Sequence, residues 1–333
     1  MKNTELPMTT KEYDFDWADL AFASKKQVKT LNAIFIAAPR EISLKRFTEL
    51  VKRYLPEGNL FIGLAKEEYI EGFEGQPQFK ALQQSAIQSV IDKVNHSTSK
   101  HKIYTLRYFQ RELVPIVSKI NCSKALFIHG SWKHMFHTNQ IYYTLTNLNI
   151  PYQLLPAFCD EAEAKAYDKK MTKKIAVTID GAKTLTQQQI FALVDAVAKQ
   201  SYDYGFQTGA ILAKKVADGK YKPLLGGYNK IPPYESYALL HGAVREQNFS
   251  PPNDLNHYDT VHAEVEVILA ALKSKTDLKG KTLCINLLPC PACARMLADT
   301  EITEILYLHD HSDGYAIGLL QAAGKTVKRI VIE

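Results

Sequence analysis

NLLPCPACARML, residues 286–297, places two cysteines, the first flanked by prolines on both sides, between an apolar run and a helix-forming segment. TLCINLLP (282–289) reads as a buried strand and PACARMLADT (291–300) as a helix. Cys290 and Cys293 therefore fall at a helix start. Three readings compete for such a pair: half of a metal site, a redox dithiol, or two buried core thiols. What the rest of the chain offers them decides the matter.

The chain has 333 residues, long enough for two domains. Its 46% hydrophobic and 23% charged content is that of a folded protein. No stretch approaches eighteen uncharged apolar residues, so no membrane span is expected. The segment MKNTELPMTTKEYDFDW carries acidic residues where an export signal would be apolar, which reads as cytoplasmic. Five cysteines are too few and too unevenly spaced for a disulfide scaffold. The net charge of +6 is scattered and points only weakly to an anionic partner.

Working towards the N-terminus, EILYLHD (304–310), YAIGLLQAAG (315–324) and VKRIVI (327–332) read as strand, helix and strand. VHAEVEVILAALKS (261–274) reads as a helix, TGAILAKKV (208–216) and KPLLGGYN (222–229) as paired strands, and TLTQQQIFALVDAVAKQS (184–201) as a helix capped by Thr184 or Thr186. Between 230 and 260 lies a polar, proline-bearing insertion expected to hold loops and one short helix. The charged stretch 161–183 reads as a linker region. In residues 31–160, AIFIAAP, LFIGLA, KIYTL, KALFIHG and YQLLPAF alternate with helical segments, one of them opened by Ser43. That alternation argues for an open parallel sheet of Rossmann-like type. Residues 1–30 are expected to be a tail or peripheral helix.

His262 and Glu264 open one helix, and Cys290 and Cys293 open another. Two helix starts brought together would give two thiolates and one imidazole, a zinc donor set with one position left for water. Glu264, two residues past the histidine, is suited to carry protons without ligating the metal. His-x-Glu followed by Pro-Cys-x-x-Cys is the known signature of zinc deaminases of bases. Each residue alone has an ordinary role: His262 as a cap or surface residue, Glu264 as a charge near the helix dipole, the cysteines as core. Cys284, His257 and His309 are further metal-binding residue types, but Cys284 sits mid-strand as a buried thiol and neither histidine is expected to ligate.

With these motifs in place, residues 184–333 resemble the cytidine/deoxycytidylate deaminase superfamily, most of all its deoxycytidylate branch. TGAILAKK resembles that fold's first strand, and EILYLHD with LLQAAGKTV its fourth strand, helix and small-residue turn. The resemblance implies an α/β/α three-layer domain with one catalytic Zn2+ per chain, held by His262, Cys290 and Cys293, with Glu264 catalytic. It also implies a substrate pocket that includes Ala263, and a base- or sugar-binding asparagine in GGYN, here Asn229. Tyr315, after the loop HDHSDG, is a candidate to stack on the base, whereas Tyr307 is expected in the core. Lys230 and Arg245 are candidates to meet a phosphate. The implied partners are a small nucleotide and, by family analogy, further copies of the chain.

The match departs from the branch at Glu266 and Val267, where asparagine and alanine are usual. Glu266 would repel a phosphate unless it turned away or met a basic side chain; otherwise it marks a substrate that is not a monophosphate. Adenosine deaminases of transfer RNA share the cysteine motif, yet no basic run flanks this site, so a nucleic acid is not the favoured substrate. The N-terminal domain has neither a Gly-rich dinucleotide fingerprint nor a phosphate loop. In IHGSWKH (128–134), His129, Ser131 and Lys133 fit either a phosphate site or plain turn chemistry, the latter favoured. The expected function is zinc-dependent deamination of a free cytosine nucleotide, dCMP to dUMP. The alternatives are action on dCTP or a nucleoside in nucleotide-pool control or phage defence, a nucleic-acid deaminase or binding module, and an inactive sensor or structural protein.

Overall fold

The computed structural model of the protein describes residues 17–20, 24–216, 219–251, 254 and 257–332. It has an α/β architecture built on two separate sheets.

The first sheet begins with β1 (Trp17–Leu20) and β2 (Ser24–Gln27), an antiparallel pair. These residues were expected in a tail or peripheral helix, and the strands correct that expectation; residues 1–16 and 21–23 lie outside the described residues. Then follow β3 (Ala33–Ala37), α1 (Leu44–Tyr54), β4 (Asn59–Ala65), α2 (Gln84–His96), β5 (Ile103–Tyr108), α3 (Leu113–Lys119), β6 (Cys122–Ile128), α4 (Gln140–Asn147) and β7 (Tyr152–Leu155). The strand order is β2-β1-β5-β4-β3-β6-β7, and β3 to β7 run parallel. Apolar side chains feed both faces: Ile34 and Ile36 of β3 join the cluster under α1 and α2, while Phe35 joins that under α3 and α4. Helix α1 shows why it docks. Ser43 caps it by accepting from Arg46 N at 2.9 Å, and Phe47, Leu50, Val51 and Tyr54 recur on its buried stripe.

The proposed linker region begins with a helix, α5 (Glu161–Ile175), capped by Asp160, whose side chain accepts from Glu163 N at 2.8 Å. Its Ala164 and Met171 are buried in the same core as α1 and α2, so this charged stretch is packed scaffold. The spacing of few but well-placed apolar residues accounts for this: only one narrow stripe is needed.

The second sheet is formed after α6 (Gln187–Ala198), which Thr186 caps in a reciprocal pair with Gln189. Its elements are β8 (Gly209–Lys215), β9 (Tyr221–Tyr228), α7 (Tyr237–His241), α8 (Val244–Gln247), α9 (Ala263–Ser274), β10 (Thr282–Leu287), α10 (Pro291–Ala298), β11 (Glu304–His309), α11 (Tyr315–Ala322) and β12 (Thr326–Arg329). The order is β12-β11-β10-β8-β9; β10, β11 and β12 are parallel, and β8 is antiparallel to β10 and β9. Helix α6 covers one face, with Cys284 buried beneath it; α9, α10 and α11 cover the other, with Tyr307 in their core. Gly209 permits the close approach of β8 to α6, because a Cβ there would collide with the backbone of Val194 and Ala198.

The described residues of the insertion form two short helices, α7 and α8, rather than one. One side of it is buried. Ile231, Tyr234, Ala238, Leu239 and Ala243 are buried in one continuous core with β3, β4, β6 and α1 of the first sheet. The strand order reverses at β3, so ligands of such sheets usually bind outside the ends of β3 and β6. Here that crevice holds Arg40, 1% exposed, which donates from its backbone N to Ser131 Oγ at 3.4 Å and from Nη2 to Gln78 O at 2.8 Å. Leu239 lies directly over Gly130, where a Cβ would strike its side chain.

Candidate zinc centre and pocket

Two local structures aim the metal-ligand types at one point. Lys230 and Val261 exchange backbone hydrogen bonds of 2.9 and 2.8 Å, which pins the residue before His262 to the end of β9. His262 is then the N-cap of α9. Leu288 N donates to His309 O at 2.8 Å, extending the β10–β11 pairing almost to Cys290, the N-cap of α10. Pro291 takes the first helical position, where its missing N–H costs nothing.

His262 Nδ1 lies 3.4 Å from Cys290 Sγ and 3.3 Å from Cys293 Sγ. All three donor atoms fall within 4.8 Å of one another, with both cysteines buried. Ordinary zinc–sulfur and zinc–nitrogen bonds arranged tetrahedrally would separate S and N by about 3.5 Å, so this donor set fits zinc as it stands. The Cys290 thiol is held well below its ordinary range by hydrogen bonding to Cys293 and to His262, against the cost of burial. A thiolate is the form that binds metal.

Glu264 is 3% exposed in the first turn of α9, and burial pushes its carboxyl up to about 7. It opens onto a cavity of about 330 Å³ that also reaches His262, Cys290, Ala263, Asn229 and Arg245. The structure thus brings together seven of the nine residues singled out from sequence. Asn229 is buried and heavily committed: Nδ2 donates to Phe206 O at 2.8 Å and to Asp203 Oδ2 at 3.1 Å, and Oδ1 accepts from Thr208 N at 2.8 Å. Arg245 is 6% exposed, donates to Pro251 O at 3.0 Å and lies 5.7 Å from the Phe206 ring and 5.8 Å from that of Tyr258.

Two residues are not brought in. The Lys230 side chain is exposed and borders a separate depression with Glu266, so Glu266 also turns away from the cavity. Successive residues of an extended segment face opposite ways, and Asn229 takes the inward position. Tyr315 is 47% exposed; Arg295 lies 5.6 Å from its ring and donates to its hydroxyl at 3.4 Å. The loop before it supplies His311, Ser312 and Asp313 to the cavity instead.

Sequence reasoning also missed Asp203, Phe206, Tyr258 and Asp259, all lining the cavity. Asp203 Oδ1 accepts from Gly205 N at 2.7 Å and Phe206 N at 3.2 Å, and burial raises its pKa. Asp-x-Gly is a legible turn signal, but a turn signal does not say what the turn faces. Asp259 accepts from Val244 N at 2.9 Å, and burial pushes it up to about 6. Met135 joins this lining from the first sheet's unit.

Residues 184–309 match the family model described as the cytidine and deoxycytidylate deaminase zinc-binding region. A deoxycytidylate deaminase of Homo sapiens is 28% identical over 139 residues, covering 40% of this chain and 73% of the relative. A probable deoxycytidylate deaminase of Drosophila melanogaster is 32% identical over 116 residues, 34% of this chain and 54% of the relative. Among solved structures, a dCMP deaminase from the cyanophage S-TIM5 in complex with dCMP and dUMP aligns with 43% of this chain and 96% of its own, at 20% identity and a TM-score of 0.35. The region from α6 to β11 thus carries the zinc-binding signature of the cytidine and deoxycytidylate deaminases, a match that stops short of the seven-stranded sheet.

Proposed function

We propose that the chain hydrolyses the exocyclic amine of a free cytosine nucleotide, converting dCMP to dUMP and ammonia. One observation carries this reading: a buried carboxylate, Glu264, beside a converged His-Cys-Cys donor set in a cavity of nucleotide size. The named activities of the human and fly relatives support the choice of dCMP.

His262, Cys290 and Cys293 would hold the zinc, which when bound acts as a Lewis acid that makes water nucleophilic near neutral pH. Glu264 does the proton work. It takes a proton from the attacking water, passes it to the ring nitrogen, and returns the second water proton to the amine as the C–N bond breaks. Burial favours the protonated form of Glu264, which suits it to return protons as well as to take them. Ala263, fully buried at the first position of α9, forms an apolar wall beside the base. Asn229 has both N–H donors engaged, so it offers a substrate hydroxyl or amine only the remaining acceptor capacity of Oδ1. Among the described residues that line the cavity, Arg245 is the buried arginine, and it is the choice for an anionic substrate group.

The domain division follows the same reading: a Rossmann-like unit through residue 160 that includes β1 and β2, a connector region at 161–183 whose helix α5 packs on that unit, and 184–333 a deaminase-like α/β/α unit. No helix among the described residues is long and apolar enough to cross a membrane.

The test is ammonia release by zinc-quantified protein on cytidine, deoxycytidine, CMP, dCMP, dCTP, a cytosine-bearing single strand and an adenosine-bearing RNA. Turnover of dCMP above the others is expected, with kcat lowered about 10²- to 10⁴-fold in Glu264→Gln. Undiminished turnover in zinc-loaded Glu264→Gln would sink the proton-transfer role, and preference for a strand would replace the substrate.

A further inference from the structure

The cavity is not made by the deaminase-like unit alone. Met135, in the segment after β6, lines it directly. The same segment grips the short helix that carries Arg245. The next residue on that helix, Glu246, is 6% exposed and faces three donors. Its Oε1 accepts from Trp132 Nε1 at 2.8 Å and from Phe136 N at 3.0 Å, and its Oε2 accepts from Tyr204 OH at 2.8 Å. Beyond the helix, His137 Nε2 lies 2.9 Å from Ser250 O. The turn on the opposite wall is held as well, since His134 N donates to Tyr204 O at 2.7 Å.

We propose that Glu246 is a positioning residue of the active site, through which the seven-stranded unit fixes Arg245 and so sets affinity for the nucleotide. A carboxylate buried with three donors is far more rigidly oriented than an exposed one, and its neighbours on a one-turn helix share that orientation. Helix α8 has only four residues, too few to hold itself; within its own unit it is tied by Asp259, which accepts from Val244 N, and by Tyr204 OH, which donates to Glu246. Two of the three donors that hold Glu246, Trp132 Nε1 and Phe136 N, come from across the unit boundary. Trp132, Phe136 and Met135 are consequently part of the site's construction, although the family match does not reach them. The inference takes its ligand, a cytosine nucleotide, from the function proposed above; the anchoring itself does not depend on that ligand.

The test uses the full zinc-loaded chain. Glu246→Ala is expected to raise KM for dCMP about ten- to hundredfold, the loss of charged hydrogen bonds, while zinc content stays at one per chain and kcat stays within about threefold. Glu246→Gln should recover most of that affinity, because its carbonyl can still accept from Trp132 and Phe136 while its amide donates to Tyr204. Trp132→Phe removes a single donor and supplies the same comparison if Glu246→Ala fails to fold. Independently of turnover, hydrogen exchange should quicken at least about tenfold at amides 244–251 in Glu246→Ala, with 290–297 unchanged. Unchanged exchange at 244–251 overturns the anchoring, and a raised KM that Glu246→Gln does not recover overturns its hydrogen-bond basis. If exchange quickens but no cytosine compound is bound or turned over by the unsubstituted protein, the substrate reading fails and the anchor stands.

Discussion

The two sheets treat the same kind of location in opposite ways. In each, a parallel strand ends beside a turn rich in polar groups: β10 runs into Cys290, and β3 and β6 run into Arg40 and Ser131. At the first, converging donor atoms open onto a cavity of about 330 Å³. At the second, Arg40 is spent on Gln78, Gly130 and Tyr167, and Leu239 closes the crevice. Strand order alone would nominate both as ligand sites. The difference lies in what packs on top. The phosphate option for His129, Ser131 and Lys133 gives way here: Ser131 accepts from Arg40, and His129 Nδ1 lies 3.8 Å from Glu246.

The sharpest way to break this contrast is to remove the donors. Cys290→Ser or Cys293→Ser should lose stoichiometric zinc and reduce deamination by at least about 10³-fold, with Cys284→Ser doing neither. The Cys284 thiol is pushed well up by burial and packs under α6, away from the donor set. Zinc analysis of the three purified variants checks this. Retention of zinc after loss of either cysteine would return the pair to the ordinary core role.

The closed crevice is tested by Leu239→Ala. Leu239 is 1% exposed in the core shared by both units, and truncations of this kind cost about 2–5 kcal/mol. Urea denaturation should show that loss as a lower midpoint. A cost under about 1 kcal/mol would mean that the two units hardly depend on each other.

A third experiment uses pH. Glu235, on the insertion, is buried against Tyr228 OH and Ile231 N, and burial pushes it up to about 7. Between its ordinary 4.5 and about 7 the folded state therefore binds more protons than the unfolded state, so this group's contribution falls as pH rises through that window. The rise from 4.5 to about 7 corresponds to about 3 kcal/mol, an upper figure. Glu235→Gln should stay uncharged throughout and gain on the unsubstituted protein between pH 4 and 8. A constant difference between the two across that range would show that Glu235 ionises freely when folded.

What was legible in the sequence follows from how locally each feature is determined. Cys290, Cys293, His262 and Glu264 could be read because each lies in the first turn of a helix whose start the sequence marks. The alternation of strands and helices was legible for the same reason. The fate of the insertion was not. Ala238, Leu239 and Ala243 are too few and too dispersed to announce a buried surface, and their partners, β3, β4, β6 and α1, lie far away in the chain. The strand pair β1–β2 escaped because four-residue strands carry almost no periodic signal. Helix α5 escaped because its composition is that of a solvated segment although its stripe is not.

The smallest expected effects concern residues that proximity in sequence made attractive. Lys230 follows Asn229 and precedes the insertion, which is why a phosphate role suggested itself. In the structure its backbone does the positioning, through the paired bonds to Val261, while its side chain is exposed beside Glu266. Lys230→Ala keeps the backbone bonds and removes only a solvated charge, so KM and kcat for dCMP should move less than about twofold. Tyr315→Phe deletes a hydroxyl whose partner, Arg295, is also at the surface, and the same limit applies. Arg245→Ala, measured alongside, should raise KM by more than either. A tenfold rise in Lys230→Ala would place the substrate's anionic end at the outer depression, and with it reassign the roles of the two cations.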